Sequence, residues 1–375
     1  MLRVFEAFAG YGSQSIALRN LGIEHEVVAI SEIDKYAIKA YEAIHGPTNN
    51  LGDICKIDPR DIPDHDLFTY SFPCQDLSVA GKQAGLGKGT RSGLLYECEK
   101  VIEAKKPKYL LLENVKNLVG KKFKSQFEKW LQYLEDLGYT NYWKVLNAKD
   151  YGVPQNRERV FVVSILGDHK PYKFADKIPL DKCIADILED EVDEKYYINN
   201  PLHLASKESQ KVLIPQATKK GHIEMDLPGV CDLSYPNSKT RRGRVQEGGK
   251  VSPTLTAASQ DICYIELPCI CASRGRNPKN PSDRTTGAPT EQRLEFNTKG
   301  TSNTITTVQK DNYVVEATYR IRKLTPRECF RLMGMRDDDI DKIQQAGISN
   351  TQQYKMAGNS IVIDVLEVIF RNLFL

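Results

Sequence analysis

Cys74 stands in the run Tyr70-Ser71-Phe72-Pro73-Cys74-Gln75-Asp76-Leu77-Ser78, directly after a proline. A cysteine acts as a nucleophile through its thiolate, and a thiolate can add to an electron-poor ring carbon. The stretch Asp66-Leu67-Phe68-Thr69-Tyr70-Ser71 ahead of it reads as a short buried strand. Pro73 ends that strand, because proline has no N–H to give a ladder. Cys74 is therefore expected just past the carboxyl end of a strand, where open α/β sheets bind ligands. The segment after it is rich in glycine, and from Leu77 to Tyr96 it holds no acid but carries Lys82, Lys88 and Arg91. A strand-end cysteine followed by a flexible basic loop suits a nucleophile presented to a polyanion. A small buried cysteine beside an ordinary loop would read the same way in isolation.

Three further clusters carry chemistry. Glu113-Asn114 follows the strand-like Tyr109–Leu112, and in a parallel sheet it points to the same edge as Cys74. A carboxylic acid facing the same cleft could protonate a nitrogen of the attacked ring; an exposed or helix-capping acid is the plainer alternative. Gln155-Asn156-Arg157-Glu158-Arg159 precedes the strand-like Val160–Ile165. Arginines at alternate positions fit a solvated strand edge, or a guanidinium gripping a carbonyl or phosphate. Phe8-Ala9-Gly10-Tyr11-Gly12 follows a strand and opens a helix, with Glu32 at the end of the next strand and Asp53 beyond it. Glycines there let backbone approach a ligand, and an acid at the second strand end can accept ribose hydroxyls. Ser15 occupies the place of the third glycine of a dinucleotide fingerprint, so the turn suits an adenosine-bearing cofactor generally, not NAD in particular.

The elements that must position these groups alternate. Strands are expected at Arg3–Phe8, Val27–Ile30, Tyr109–Leu112, Tyr142–Leu146 and Val160–Ile165, with helices at Gln14–Leu21, Tyr36–Ile44, Leu94–Ala104 and Phe123–Leu137. That order predicts a mostly parallel sheet covered on both faces. The alternation fades after residue 167 and returns near 318. Thr325-Pro326-Arg327-Glu328 reads as a capping box with proline at the first helical position, and Asn359-Ser360 as the opening of a C-terminal helix running to about Leu373.

Composition sets outer limits. The 375 residues carry 52 Lys and Arg against 49 Asp and Glu, so basic surface must come from local clustering. Nine scattered cysteines give no zinc-like pairing and point to reduced thiols in a cytoplasmic compartment. The start Met1-Leu2-Arg3-Val4 leads straight into a strand, without a signal-peptide pattern.

The blocks FAGYGS at 8–13, SFPCQDLS at 71–78, LLLENVKNL at 110–118, YGVPQNRERVF at 151–161, RKLTPRECFRLMG at 322–334 and AGNSIVIDV at 357–365 occur in one order along the chain. In that order they resemble the DNA (cytosine-5)-methyltransferases of bacteria and phage. Ser71 departs from the glycine that many members carry before Phe-Pro-Cys-Gln. The resemblance implies a Rossmann-like α/β methyltransferase sheet with a smaller, mostly β and loop, target recognition domain. Its catalytic and cofactor-binding part would span 1–167, the recognition domain 168–317, and the return to the catalytic domain 318–375. It implies S-adenosylmethionine as cofactor, no metal, and double-stranded DNA as partner, with the target base flipped out. Cys74 would add to cytosine C6, Glu113 would serve N3 and the exocyclic amine, and Arg159, supported by Arg157, the base carbonyl. Phe8, Gly10, Tyr11, Gly12, Glu32, Ile33, Asp53, Ile54, Pro73, Leu94, Asn359 and Ser360 match cofactor positions. A monomer is expected, acting near the nucleoid, as an orphan enzyme or beside a separate restriction endonuclease.

For DNA contact, Ser78, Lys82 and Arg91 belong to the loop expected to close over the flipped base. Arg241, Arg242 and Arg244 lie in KTRRGRVQEGGK, and Arg274 and Arg276 in the Gly-, Pro- and Arg-rich stretch 273–293. A weak repeat places Thr254 and Thr304 in Ser-x-Thr-(Leu/Ile)-Thr segments, read here as strands facing DNA beside arginines that could pair with guanine; two similar hairpin strands without special meaning, with Thr254 as scaffold, are the plainer alternative. A non-catalytic binding module on the same fold, an NAD-dependent oxidoreductase and an RNA methyltransferase are the rival readings. The set Cys74, Glu113 and Arg159 speaks against the first, and the missing third glycine against the second.

Overall fold

The computed structural model describes residues 1–73, 91–198, 203–204, 211–257, 261–266, 270–276, 291–297, 312–314 and 320–375, by backbone alone at 91–92, 203–204, 270–276, 291–297 and 312–314. Near-continuous apolar runs make the central strands, as expected of a sheet buried on both faces. These are β1 (Leu2–Ala7), β2 (His25–Ser31), β3 (Leu67–Tyr70), β4 (Tyr109–Val115), β5 (Tyr139–Asn147) and β6 (Glu158–Leu166), in the order β2-β1-β3-β4-β6-β5. The pairings β1–β2, β1–β3 and β3–β4 are parallel, whereas β6 runs antiparallel to both β4 and β5. β1 stops one residue before the expected Phe8, whose φ of 57° turns the chain out of the strand.

Helices α1 (Ser13–Asn20), α2 (Lys35–His45), α3 (Leu95–Lys105) and α4 (Lys124–Asp136) follow the expected positions. Asp34 caps α2 by accepting the Tyr36 N–H at 2.9 Å. α4 buries Phe127, Trp130 and Leu134, a helical stripe, into a core shared with Phe5, Phe68, Tyr70 and Leu110.

The C-terminal segment supplies α5 (Pro326–Arg331), α6 (Asp337–Gln345), α7 (Asn350–Asn359) and α8 (Ile363–Phe374). The capping box is present: Thr325 Oγ1 accepts the Glu328 N–H while a Glu328 carboxylate oxygen accepts the Thr325 N–H. Asn359 and Ser360 do not open the last helix. Asn359 ends α7, Ser360 is extended, and α8 begins at Ile363. α8 packs along α1, where Asn20 Nδ2 donates to Glu367 Oε1 at 2.7 Å and Arg19 pairs with the buried Asp339 of α6.

The chain divides into two compact units, one of residues 1–190, 251–260 and 325–375, the other of 191–250 and 261–324. This differs from the boundaries expected at 167/168 and 317/318. The stretch 168–190 stays with the first unit, because the Ile187 and Leu188 carbonyls accept from Arg331 and the Glu189 N–H donates to Glu328. Residues 251–260 also return to it, Ser252 pairing with Gln155 as an isolated bridge.

The second unit holds β7 (Tyr197–Ile198), β8 (His203–Leu204), β9 (Lys211–Pro215), β10 (His222–Asp226), β11 (Gly229–Asp232), β12 (Ile262–Glu266), β13 (Ile270–Arg276), β14 (Glu291–Asn297), β15 (Asn312–Val314) and β16 (Arg320–Lys323). They form three antiparallel sheets, β10-β9-β8, β11-β12-β16-β7 and β14-β13-β15. Val212, Ile214, Met225, Cys231, Cys263 and Ile321 make its small core. No helix among the described residues is long and apolar enough to cross a membrane.

Candidate active site

The carboxyl ends of β3 and β4 lie side by side in the sheet. β3 leads through the buried Phe72 to Pro73; Cys74 itself lies outside the described residues, as do Ser78, Lys82, Thr304 and the side chains of Arg91, Arg274 and Arg276. Asn114 Nδ2, at the end of β4, donates to the Phe72 carbonyl at 3.1 Å. It thus holds the peptide two residues before Cys74. Sequence reasoning assigned Asn114 nothing; its only signal was its place beside Glu113 at a strand end.

Glu113 is buried, 8 % exposed, with Arg159 Nε 3.1 Å from its Oε1. Burial raises its pKa above the usual carboxylate value, while the Arg159 and Arg157 cations pull it back down. The antiparallel run of β6 is what brings Arg159, near the start of its strand, to the finish of β4. Beside Arg159 opens a cavity of about 230 Å³, lined by Val115, Asn117, Asn156, Glu158, Arg159 and Thr254, with Lys116 paired to Glu158 at its rim. That is below the ~300–1,000 Å³ of drug-sized ligand pockets.

Thr254 corrects an expectation. It does not belong to the second unit but lines this cavity, its hydroxyl donating to the Asn156 carbonyl at 2.5 Å. The reason is the tie of residues 251–257 to 154–157: the Ser252 N–H reaches the Pro154 carbonyl and the Asn156 N–H reaches the Ser252 carbonyl, each at 2.8 Å. Gln155, fully buried and given no role from sequence, joins in by donating to the Leu332 carbonyl at 2.7 Å and accepting the Leu255 N–H. Arg157 was expected to support Arg159, and its surroundings give that support a form. It is 3 % exposed and its guanidinium donates to three backbone carbonyls, those of Leu255, Gly358 and Ser360. It holds the framework around Arg159.

Gly10, Gly12, Glu32 and Ile33, expected from sequence to meet a cofactor, come together at the β1–α1 turn and the end of β2. Glu32 Oε2 accepts the Gly10 N–H at 2.9 Å, and its Oε1 accepts those of Ile33 and Asp34 at 2.8 Å each. Asn50, missed from sequence, fixes the Glu32 backbone from both sides, accepting its N–H at 3.2 Å and donating to its carbonyl at 3.1 Å. Ile33 is 74 % exposed, an apolar side chain left in solvent next to that carboxylate. Gly10, at φ 60°, faces open space. Gly12, at φ 83°, has none: a Cβ would come within 2.4 Å of His45 Nε2. His45 Nε2 also meets the Tyr11 carbonyl at 3.1 Å, and burial takes its pKa down to about 4, which keeps the ring neutral. The open turn, the carboxylate and the exposed isoleucine fit the adenosine half of a cofactor.

The remaining expected cofactor positions differ in how much side chain they expose. The Tyr11 side chain is buried against Phe330 and that of Ile54 lies in the main core, so each offers only backbone to a ligand. Asp53 caps a short 3-10 turn, accepting the Cys55 N–H at 3.1 Å, and remains partly exposed. Phe8 and Leu94 pack half-buried on the core and Pro73 is half-buried. Asn359 is exposed, and the Ser360 hydroxyl meets that of Ser13 at 2.6 Å.

In the second unit the arginine run separates into distinct roles. Arg244 is 2 % exposed and donates to the carbonyls of Asp232, Ser234 and Tyr235, so its guanidinium is enclosed and not held out to solvent as the DNA contact expected from sequence would need. Arg241 grips Asp232 through Nε and Nη2. Both fix the loop that carries them. Arg242 is exposed, and its Nε donates to the Ala217 carbonyl.

The family model for C-5 cytosine-specific DNA methylases matches residues 2–375. A type II methyltransferase of Lactococcus lactis subsp. cremoris, M2.ScrFI, is 38% identical over 100% of this chain and 99% of its own length. The orphan methyltransferase M.SPRI of Bacillus phage SPR is 31% identical over 99% of this chain and 97% of its own. Among solved structures, the Entamoeba histolytica methyltransferase EhMeth has the same fold, with a TM-score of 0.64 at 18% identity, covering 100% of this chain and 98% of that one.

Proposed function

Since the chain belongs to the C-5 cytosine-specific DNA methylase family, an S-adenosylmethionine-dependent group, we propose that it methylates C5 of a cytosine flipped out of a specific double-stranded DNA sequence, through a covalent bond between Cys74 and C6. The observation that carries this reading is the buried Glu113–Arg159 pair, 3.1 Å apart, at the end of the strand beside the one that leads to Cys74. Cytosine C5 is a poor nucleophile. As the Cys74 thiolate bonds to C6, Glu113, kept protonatable by burial, gives a proton to N3, and the ring's electron pair becomes available at C5. Arg159 donates to the base carbonyl and holds Glu113 in place. Once C5 carries the methyl group, a base takes the C5 proton, the C6–S bond breaks to return the Cys74 thiolate, and N3 gives its proton back to Glu113, which restores the aromatic ring. Asn114 keeps the Cys74 turn aimed by its bond to the Phe72 carbonyl.

S-adenosylmethionine would supply the electrophilic methyl. Glu32 would accept the ribose hydroxyls, Ile33 pack on adenine, Asp53 take the adenine amine, and the backbone of Phe8, Gly10, Tyr11 and Gly12 line the methionine side with Pro73, Leu94, Asn359 and Ser360. No metal is needed for this chemistry. The second unit would read the DNA sequence, with Arg242 on a phosphate. The biological setting proposed is a restriction–modification system or an orphan, phage-type protective methylase, working as a monomer in the cytoplasm. Bisulfite sequencing of DNA from cells expressing the chain should reveal 5-methylcytosine in one sequence context. DNA carrying 5-fluorocytosine at that site should trap a covalent complex with the wild type and none with Cys74→Ser. Unmethylated DNA and no trapped complex would end this reading.

A further inference from the structure

Arg157 spends a buried positive charge on three backbone carbonyls from chain segments remote in sequence. Nη1 donates to the Leu255 carbonyl at 2.7 Å, and Nη2 to those of Gly358 at 3.0 Å and Ser360 at 2.6 Å. The segments it joins belong to different halves of the site. Ser360 meets Ser13, the first residue of α1 after the Gly10–Gly12 turn, through their hydroxyls at 2.6 Å. Leu255 follows Thr254, which lines the cavity beside Arg159. The two segments are pressed together without slack: a Cβ at Gly358 would come within 2.1 Å of the Thr256 carbonyl oxygen. Any displacement of residues 358–360 is therefore felt at 254–256 through hard contact as well as through the guanidinium.

We infer that Arg157 is a positioning residue that couples cofactor occupancy to the grip on the target nucleotide, by tying the Ser360 side of the cofactor turn to the Thr254–Leu255 wall of the cavity. This rests on the function proposed above. A planar guanidinium can hold three carbonyls at fixed angles, whereas a lysine ammonium at the end of a flexible stem cannot. Ordering of Ser360 by bound cofactor draws Leu255 into register, and Thr254 with it. Because coupling between binding sites is reciprocal, DNA must tighten the cofactor by the same factor by which the cofactor tightens DNA.

The test is a linkage measurement. The Kd for duplex DNA bearing the mapped methylation site is read by fluorescence anisotropy with and without saturating S-adenosylhomocysteine, in the wild type and in Arg157→Lys. The wild type should bind DNA about 5-fold or more tighter with the cofactor product present, within the usual range of site coupling. Arg157→Lys should bring that ratio close to one while still binding S-adenosylhomocysteine. A wild-type ratio of one, or the wild-type ratio preserved in Arg157→Lys, overturns the inference. If Arg157→Lys does not fold, the wild type decides: S-adenosylhomocysteine should slow amide exchange across 251–257, and unchanged exchange there overturns it. A wild type that methylates DNA but shows neither effect defeats the coupling alone; a wild type that never methylates defeats the function instead.

Discussion

Arg159 Nε stands 3.1 Å from Glu113 Oε1 because β6 runs antiparallel to β4, with Val115 facing Arg159 and Glu113 facing Phe161. The two side chains are diagonal neighbours on one face of the sheet. Burial raises the Glu113 pKa, and Arg159 is the foremost influence holding it down.

Glu113→Gln should lower kcat by about 10²–10⁴-fold, the usual span for a lost general acid, with cofactor binding kept. Arg159→Ala removes the restraining cation, so the Glu113 pKa rises further. The limb on which activity falls as the carboxyl loses its proton should shift to higher pH, on a lower plateau. Methyl-transfer rates across pH give the answer, and an unshifted limb would separate Arg159 from the ionisation of Glu113.

Glu32 and Ile33 should part stability from affinity. Ile33 is exposed, so Ile33→Asn should change stability by no more than about 0.5 kcal/mol yet weaken S-adenosylhomocysteine binding. Glu32→Ala leaves the Gly10 N–H without its acceptor and should cost about 1–3 kcal/mol of binding. Calorimetric titration and thermal melting of the two variants check both statements. Full affinity in Ile33→Asn would rule out adenine packing on that side chain.

Arg244 and Arg242 lie two positions apart and should behave as opposites. Arg244→Ala strands the carbonyls of Asp232, Ser234 and Tyr235 and should destabilise the second unit by about 3 kcal/mol or more. Arg242→Ala should leave melting nearly unchanged but reduce by about 1 the slope of log K for DNA against log salt. An Arg244 variant that melts like the wild type would contradict the buried role described above.

Glu6 sets a pH dependence of stability. It is fully buried, accepting from the Ser15 hydroxyl at 2.8 Å and the Tyr41 hydroxyl at 3.0 Å, and burial pushes its pKa up to about 7 from 4.5. The folded chain thus holds the Glu6 proton more tightly than the unfolded chain. Its contribution is complete below about 4.5 and is lost as pH rises to about 7, a change on the order of 3 kcal/mol. Glu6→Gln keeps a neutral side chain there and should flatten the fall in urea stability between pH 5 and pH 7. An unchanged slope in that variant would mean that Glu6 is ionised in the fold.

The residue string by itself determined the family and the alternating α/β plan. Its motif blocks stand in one order, and its local signals are short in range: the Thr325–Glu328 capping box and the apolar stripe of α4 need only neighbours within one or two helical turns. The residues of the glycine turn and Glu32 were likewise legible, because each lies at the end of its own strand. Tertiary structure decided the rest. Residues 251–260 return to the first unit, away from the stretch of chain that flanks them, and that moves Thr254 from an expected DNA-reading strand to the wall of a cavity beside Arg159. The direction of β6 decided that Arg159 would meet Glu113. The arginines divide most sharply: Arg157, Arg159, Arg242 and Arg244 are one residue type in similar basic runs, yet one ties carbonyls 98, 201 and 203 positions away, one pairs with a carboxylate, one faces solvent and one is enclosed. A guanidinium takes its role from the acceptors that surround it, and those acceptors are brought together by strand direction and chain return, which no local spacing encodes.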